Sequence, residues 1–261
     1  ATDETPEMLP RPVVLAHRIC RELDVYQKHV SWLGADGKAQ ITVAYEDDKP
    51  RYVKTIVISA QHTEDVCPDC MERDLYQNVV LKAVPMELLA LKTRVLINPS
   101  GCFVAGGPAA DTGLTGRKLA VDQYGPVAHI GGGALSGKDA TKVDRSGAYM
   151  ARYIAKNLVY AGLAERCEVQ IAYAIGKAEP VSVSVESFGT SSLTNGELAQ
   201  LVRAVFDMRP AAIIGKLGLR KPIYGKLAAY GHYGRPELNL PWEKTDQLEA
   251  LYAAVKRLFM N

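Results

Sequence analysis

Apolar positions recur along this chain with two different periods. Between residues 10 and 30, Pro10 and Pro12 precede apolar Val13, Val14, Ala16, His17 and Cys20, which predicts a helix with proline near its start. Residues 40–45 and 52–59 alternate around the turn-like Glu46-Asp47-Asp48-Lys49-Pro50, which predicts two strands. A helix is expected over roughly 70–83, and a short strand over 95–97, ended by Asn98-Pro99-Ser100-Gly101. Further on, Met150, Ile154, Leu158 and Ala161 fall on one helix face. Asp144 or Ser146 is the expected start cap of that helix and Gly162 its end.

Two half-buried strands follow. Val169, Ile171 and Tyr173 alternate over 168–174, and Val181, Val183 and Val185 oppose Ser182, Ser184 and Glu186. Leu198, Leu201, Val202, Val205 and Phe206 mark an amphipathic helix, with Pro210 as its expected stop. Leu248, Leu251, Tyr252, Val255, Leu258 and Phe259 mark the last. Helices and strand pairs alternate without a regular βαβα order, which favours α+β over a doubly wound sheet. Residues 10–60 and 147–187 both read helix, strand, strand.

Composition narrows the function. The chain has 261 residues, 31 basic against 29 acidic, for a formal net charge of +2. That balance argues against a general nucleic-acid binder or a membrane-surface binder. No apolar run is long enough to span a membrane. The start, ATDETPEM, is acidic and polar, unlike a signal or transit peptide, and lacks an initiator Met; processing or a piece of a longer chain is expected. Five cysteines form no even framework and point to reduced thiols in a cytoplasmic setting. Cys67-Pro-Asp-Cys70 has no second ligand pair for zinc and no thioredoxin-like surroundings, so it reads as two incidental thiols where a loop meets a helix.

The chemistry concentrates in residues 106–145, which hold nine glycines, five Lys or Arg and four Asp. Glycine lets backbone approach a ligand closely, and the charges suit a polyphosphate with metal ions. Gly132-x4-Gly137-Lys138 nearly matches a phosphate-binding P-loop, but Asp139 stands where the motif needs a hydroxyl. Backbone amides and Lys138 still suit phosphate. Arg117 offers a fork to phosphate, and Lys118 and Lys142 offer point charges. Asp111, Asp122, Asp139 and Asp144 are candidate partners for Mg²⁺ or amines. A solvated loop with weak local ion pairs is the competing reading. Asp36-Gly37-Lys38, just before a strand, reads most simply as a β-turn.

These runs resemble the S-adenosylmethionine synthase (methionine adenosyltransferase) family. The resemblance rests on Ala16-His17-Arg18, Asp36-Gly37-Lys38-x-Gln40, Ser59-x-Gln61-His62, Asn98-Pro99-Ser100-Gly101-x-Phe103 and Gly106-Gly107-Pro108. It continues through Asp111-x-Gly113-Leu114-Thr115-Gly116-Arg117-Lys118, Gly131-Gly132-Gly133-Ala134-x-Ser136-Gly137-Lys138-Asp139 and Lys142-Val143-Asp144-Arg145-Ser146. Ala178-Glu179-Pro180, Tyr230-Gly231-His232 and Pro241-Trp242-Glu243-Lys244-Thr245-Asp246 complete it, so it spans essentially the whole chain.

The resemblance implies formation of S-adenosylmethionine from ATP and L-methionine, with methionine sulfur attacking C5′ of ATP. The displaced triphosphate is then hydrolysed to pyrophosphate and phosphate. It assigns catalytic contacts to Lys38, Arg117, Lys118 and Lys138. ATP-binding positions are Asp36, Gly37, Lys38, Cys102, Phe103 (stacked on adenine), Asp111, Arg117, Lys118, Ala134 and Lys138. Asp111 and Lys142 are assigned to methionine, and Asp144 to ordering the metal and basic groups. Two Mg²⁺ per site and K⁺ are implied, as is a homodimer or homotetramer with active sites between subunits.

The implied fold is three similar α+β domains about a pseudo-threefold axis, the central one incomplete here. Residues 1–106 are expected to form the major part of an N-terminal-type domain, 107–146 the rest of the central domain, and 147–261 the C-terminal domain. Two positions depart from the family pattern. Cys102 stands where a basic residue usually precedes Phe, and Ile130 where His commonly precedes the glycine triplet. A larger departure is that no His-Pro-Asp motif occurs; it is expected, with the main metal ligands, in a complementary N-terminal segment. A truncated, non-catalytic homologue that binds nucleotide or acts as an interaction subunit is the alternative.

Overall fold

The computed structural model describes residues 1–260 and divides into two compact units, each mixing helices with a sheet. One is Arg11–Leu114; the other joins Ala1–Pro10 to the chain from Thr115 onward. The breaks therefore fall at 10/11 and 114/115, while the sequence suggests 106/107 and 146/147.

In the first unit, α1 (Arg11–Gln27) packs on a three-stranded sheet of β1 (Leu33–Glu46), β2 (Lys49–His62) and β3 (Leu89–Ile97), in the order β1-β2-β3. The β1–β2 hairpin is antiparallel. It turns through Asp47 and Asp48, both at positive φ (51° and 57°), the pair of left-handed residues that a tight two-residue hairpin requires. β3 joins β2 in parallel, so the connection crosses over through α2 (Pro68–Leu75), a π turn (Tyr76–Val80) and α3 (Leu81–Ala83). Ile19, Leu23, Ile56, Ile58, Leu75 and Val79 meet in the core of this unit.

One expectation fails here. Asp36-Gly37 lies within β1, not in a turn before it. Between the pairs Leu33↔His62 and Gly37↔Ala60, β1 advances four residues while β2 advances two. A bulge absorbs the excess and frees the Asp36 backbone from the ladder.

In the second unit, α4 (Leu119–Asp122) precedes the long α5 (Val143–Tyr160). The antiparallel pair β4 (Glu168–Ala172) and β5 (Ser182–Glu186) follows, then α6 (Asn195–Val205), α7 (Pro210–Lys216) and α8 (Leu248–Phe259). Val183 and Val185 are buried and their Ser and Glu neighbours exposed, as the alternation predicts, although Val181 lies outside the strand and is exposed. Both units thus contain a helix followed by an antiparallel strand pair, the echo expected from the sequence.

Three ends differ from expectation or sharpen it. α5 starts at Val143 with Lys142 at its cap position and no capping side chain, so neither Asp144 nor Ser146 caps it. Ser146 instead donates its hydroxyl to Lys142 O (3.3 Å). At the other end, Gly162 (φ 67°) stops the helix as expected. α6 ends at Val205, ahead of Pro210; that proline opens α7, where its missing N–H costs nothing. Thr194 and Glu197 close a reciprocal capping box at the start of α6.

α5 is buried on more than its apolar stripe. Tyr149 stacks on Trp242 (3.7 Å between centroids, 8° between planes). One helical turn further, Arg152 is fully buried. Its guanidinium donates to Glu243 (3.0 and 2.8 Å) and to the carbonyls of Glu7 (2.7 Å) and Met8 (2.8 Å). Lys156 reaches the same Glu243 carboxylate (2.8 Å), and Gly234 N–H donates to it (2.9 Å). Burial alone would raise the Glu243 pKa, but Arg152 and Lys156 outweigh it and hold the carboxyl below its ordinary value.

Glu243→Gln leaves Arg152 buried without its counter-charge. It is expected to destabilise this unit by about 3–5 kcal/mol in urea unfolding at neutral pH. Because the folded pKa is depressed, the carboxylate's contribution is present above pH 4.5 and is lost as pH falls through the lower folded value, so the wild-type advantage should shrink in acid. An unchanged urea midpoint would remove the ion pair from the account of this unit.

Candidate functional site

The residues expected to bind ATP fall into two groups, one in each unit. In the first unit, the bulge in β1 turns Asp36 toward the chain after β3. Asp36 Oδ2 accepts from Gly107 N–H (2.9 Å), and Asp36 N–H donates to Gln61 Oε1 (3.2 Å). Gln61 Nε2 donates in turn to Val104 O (3.1 Å). The packing is close: a Cβ on Gly106 would lie 2.9 Å from Gln61 and from the Phe103 ring, and one on Gly34 2.7 Å from Gln61, so either would displace the Gln61 side chain.

The backbone of Phe103 is gripped twice by His62. His62 N–H donates to Phe103 O (2.9 Å), and Phe103 N–H donates to His62 Nε2 (3.0 Å). Nδ1 of the same ring lies 2.8 Å from Thr63 O, so Nδ1 carries the hydrogen and Nε2 accepts. The turn leading to Phe103 begins at Asn98 (φ 44°), whose amide brackets both backbone groups of Ala60 (2.8 and 3.0 Å). Lys38 is exposed, with Nζ 5.8 Å from the centre of the Phe103 ring. Lys38, Asp36, Gly37 and Phe103 thus form one cluster, with Cys102 exposed beside it. Asp111 follows on an exposed turn, its Oδ1 accepting from Gly113 N–H (3.1 Å).

In the second unit two glycine-rich runs pack together. Gly116 (φ 73°) approaches the 134–136 segment so closely that a Cβ would lie 3.1 Å from Ser136 O and 3.3 Å from the Ala134 methyl. Arg117 and Lys118, exposed, follow this contact directly. Leu135 is buried and anchors the second run, while Gly137 (φ 85°) takes a left-handed turn before Lys138. Lys138 pairs with Asp144 (2.5 Å) and Lys142 with Asp139 (2.6 Å). Hydrogen bonds from Lys142 and Thr141 hold the Asp139 carboxyl well below the usual carboxylate range. Gly133 accommodates Asp144: a Cβ there would lie 2.3 Å from the carboxylate carbon. Asp144 therefore sits in the first turn of α5, where the helix dipole favours a carboxylate, and touches both glycine triplet and lysine.

Behind this loop lies a buried polar chain that sequence reasoning did not assign to the site. Arg145 donates to Lys138 O (2.6 Å) and through Nε to Tyr149 Oη (3.0 Å). Tyr149 Oη is 2.8 Å from His232 Nδ1, and His232 Nε2 is 3.0 Å from Ser136 Oγ. Since the phenol oxygen already accepts from Arg145, its own hydrogen goes to Nδ1. His232 is then the neutral tautomer that donates from Nε2 to Ser136. His232 O also accepts from Trp242 Nε1 (2.9 Å). The loop that carries Lys138 is thus tied from behind at its serine and at its lysine carbonyl. Ser136, Arg145 and the Tyr-Gly-His run were visible within motifs but without this role.

The carboxylates present do not make a metal cage. No three His, Cys, Asp or Glu side chains converge among the described residues, and Asp139 and Asp144 each close on a lysine. No helix among the described residues is long and apolar enough to cross a membrane.

Burial, and then the guanidinium groups of Arg145 and Arg235, push the His232 pKa down from 6.5 to about 4. The unfolded chain therefore takes up this proton near pH 6.5, and the folded one only near pH 4. The stability difference between wild type and His232→Gln is expected to narrow as pH falls from 6.5 to 4. Thermal unfolding of both proteins across that range checks it; a difference independent of pH would contradict a neutral buried imidazole.

Two family descriptions match the chain. The central domain of S-adenosylmethionine synthetase matches residues 1–103, and the C-terminal domain of S-adenosylmethionine synthetase matches residues 105–244. A curated relative described as S-adenosylmethionine synthase, from Desulforudis audaxviator (strain MP104C), is 56% identical over 256 residues. The alignment covers 97% of this chain and 65% of that protein, so the chain spans just under two thirds of the relative's length.

Proposed function

The chain belongs to the S-adenosylmethionine synthetase family, and from that premise we propose that it supplies the nucleotide-gripping part of S-adenosylmethionine formation from ATP and L-methionine. One observation carries the reading. Two glycine-rich runs pack on each other, one presenting Arg117 and Lys118 and the other, fixed by a buried His-Tyr-Arg chain, presenting Lys138.

The chemistry suits such a loop. Methionine sulfur is a neutral, soft nucleophile; as its bond to C5′ forms, the bond from C5′ to the triphosphate oxygen breaks. No base is needed. The demand is for positive charge and N–H donors at a highly anionic leaving group, and preorganised groups meet it best. Lys138 and Lys142 are held by Asp144 and Asp139, and a polyphosphate would compete for both ammonium groups. In this reading Lys38, Arg117, Lys118 and Lys138 take phosphate, Phe103 stacks on adenine beside Asp36, Gly37 and Cys102, and Ala134 lines the loop. Asp111 and Lys142 serve methionine, and Asp144 orders the lysines.

Mg²⁺, when bound, offsets phosphate charge; it commonly relies on substrate oxygens, and no dedicated cage is found among the described residues. K⁺, a homodimeric or homotetrameric assembly, a cytoplasmic setting and a three-domain pseudo-threefold architecture are part of the same proposal.

Binding and turnover separate in this reading. Nucleotide binding is assigned to the residues of this chain. Turnover is assigned to them together with whatever supplies the rest of the relative's length. The match to central and C-terminal descriptions alone favours a nucleotide-binding role for the chain by itself, without chemistry.

Titration of the purified chain with a non-hydrolysable ATP analogue and Mg²⁺ is expected to give saturable binding. Lys138→Met should weaken it by about 10–100-fold, the worth of one charged hydrogen bond. With ATP and methionine, the chain alone should release no S-adenosylmethionine. Unaltered affinity in Lys138→Met would defeat the binding site, and product from the chain alone would defeat the separation of binding from turnover.

A further inference from the structure

Cys67 and Cys70 read as incidental thiols from sequence, but their place in the first unit is specific. Cys67 is the residue before the first turn of α2, with extended backbone (φ −68°, ψ 122°). Pro68 opens the helix, and Cys70 lies on its first turn. Met71, next in line, is the residue that enters the core; Cys67 is exposed and Cys70 half-exposed. Neither thiol is needed for packing. Residues three apart at a helix start have Cβ atoms roughly 5–6 Å apart, and a disulfide needs roughly 3.5–4.5 Å, so closure asks only for a small shift of an exposed first turn.

The two sulfurs are chemically unequal. The neighbouring Cys70 thiol and the amides at the helix start draw the Cys67 pKa below its ordinary value. The Cys67 side chain makes no capping hydrogen bond there. The Cys67 thiol in turn raises the Cys70 pKa, with Cys70 as the proton-holding partner. Arg73, on the next turn, donates to Cys70 Sγ at 3.7 Å and would stabilise the thiolate that Cys70 must become before it attacks. No third ligand joins them among the described residues, which argues against a metal site.

We propose that Cys67 and Cys70 are a redox-active dithiol that closes to an intrachain disulfide by exchange with a small-molecule disulfide. Cys67 thiolate attacks one sulfur of the external disulfide; that S–S bond breaks and one thiol leaves. Cys70 then attacks Cys67 sulfur, and the second thiol leaves. Two electrons pass to the external disulfide, and the protons of Cys67 and Cys70 end on the two released thiols.

The test is incubation of the fully reduced chain in glutathione buffers of increasing oxidised fraction, followed by thiol counting, intact mass and peptide mapping. The expected result is joint loss of two of the five thiols, a chain lighter by two hydrogens and a linked 67–70 peptide, all reversed by dithiothreitol. Cys70→Ser should trap glutathione on Cys67, and Cys67→Ser should abolish the lighter species; circular dichroism checks that both variants fold. Retention of all five thiols, or glutathione adducts on the wild type without the 67–70 link, overturns the proposal.

Discussion

The second unit depends on one buried guanidinium. Arg152 is taken wholly out of water, and such a charge is tolerable only where it is paired and hydrogen-bonded. Its acceptors come from two places in the chain: the carboxylate of Glu243 and the adjacent carbonyls of Glu7 and Met8. That requirement fixes the rotation of α5 about its own axis. Arg145, Tyr149, Arg152 and Lys156 then run as a polar stripe along the helix. One end of the stripe binds the Lys138 loop and the other binds Glu243. The candidate site is rigid at its back because the same helix cannot turn without stranding a charge.

Much of the first level of structure was legible. The hairpin about Asp47-Asp48 and the last helix follow from periodicity and turn chemistry, both local. What escaped was non-local. Asp36-Gly37 is a strong turn signal, and only pairing with a strand some twenty residues later, through a bulge, makes it part of a strand. The apolar stripe at Met150, Ile154 and Leu158 was visible. The buried Arg152 was not, since its partner lies 91 residues away and no sequence period announces a buried charge.

The same division holds for the candidate site. Glycine density and basic residues between 106 and 145 pointed to phosphate without any structure. The supports did not show. Gln61, His62 and Asn98 hold the Phe103 segment, and His232, Tyr149 and Ser136 hold the Lys138 loop. These residues do their work through hydrogen bonds with backbone or side chains distant in sequence. A reading by composition ranks them as ordinary polar residues, though they decide where the charged groups stand.

The order of segments in the two units has a consequence for synthesis. Arg11–Leu114 is contiguous, so all its contacts become available once that stretch has emerged. Ala1–Pro10 belongs to the other unit: Asp3 N–H donates to Glu165 O, Thr2 bridges Arg166, and Glu7 and Met8 await Arg152. At synthesis rates of about 5–20 residues per second, the first ten residues wait on the order of ten seconds or more for their partners. One unit thus completes itself while the other's opening segment is still unmatched. The chain is made in one direction, but the second unit can close only when a late segment returns to an early one.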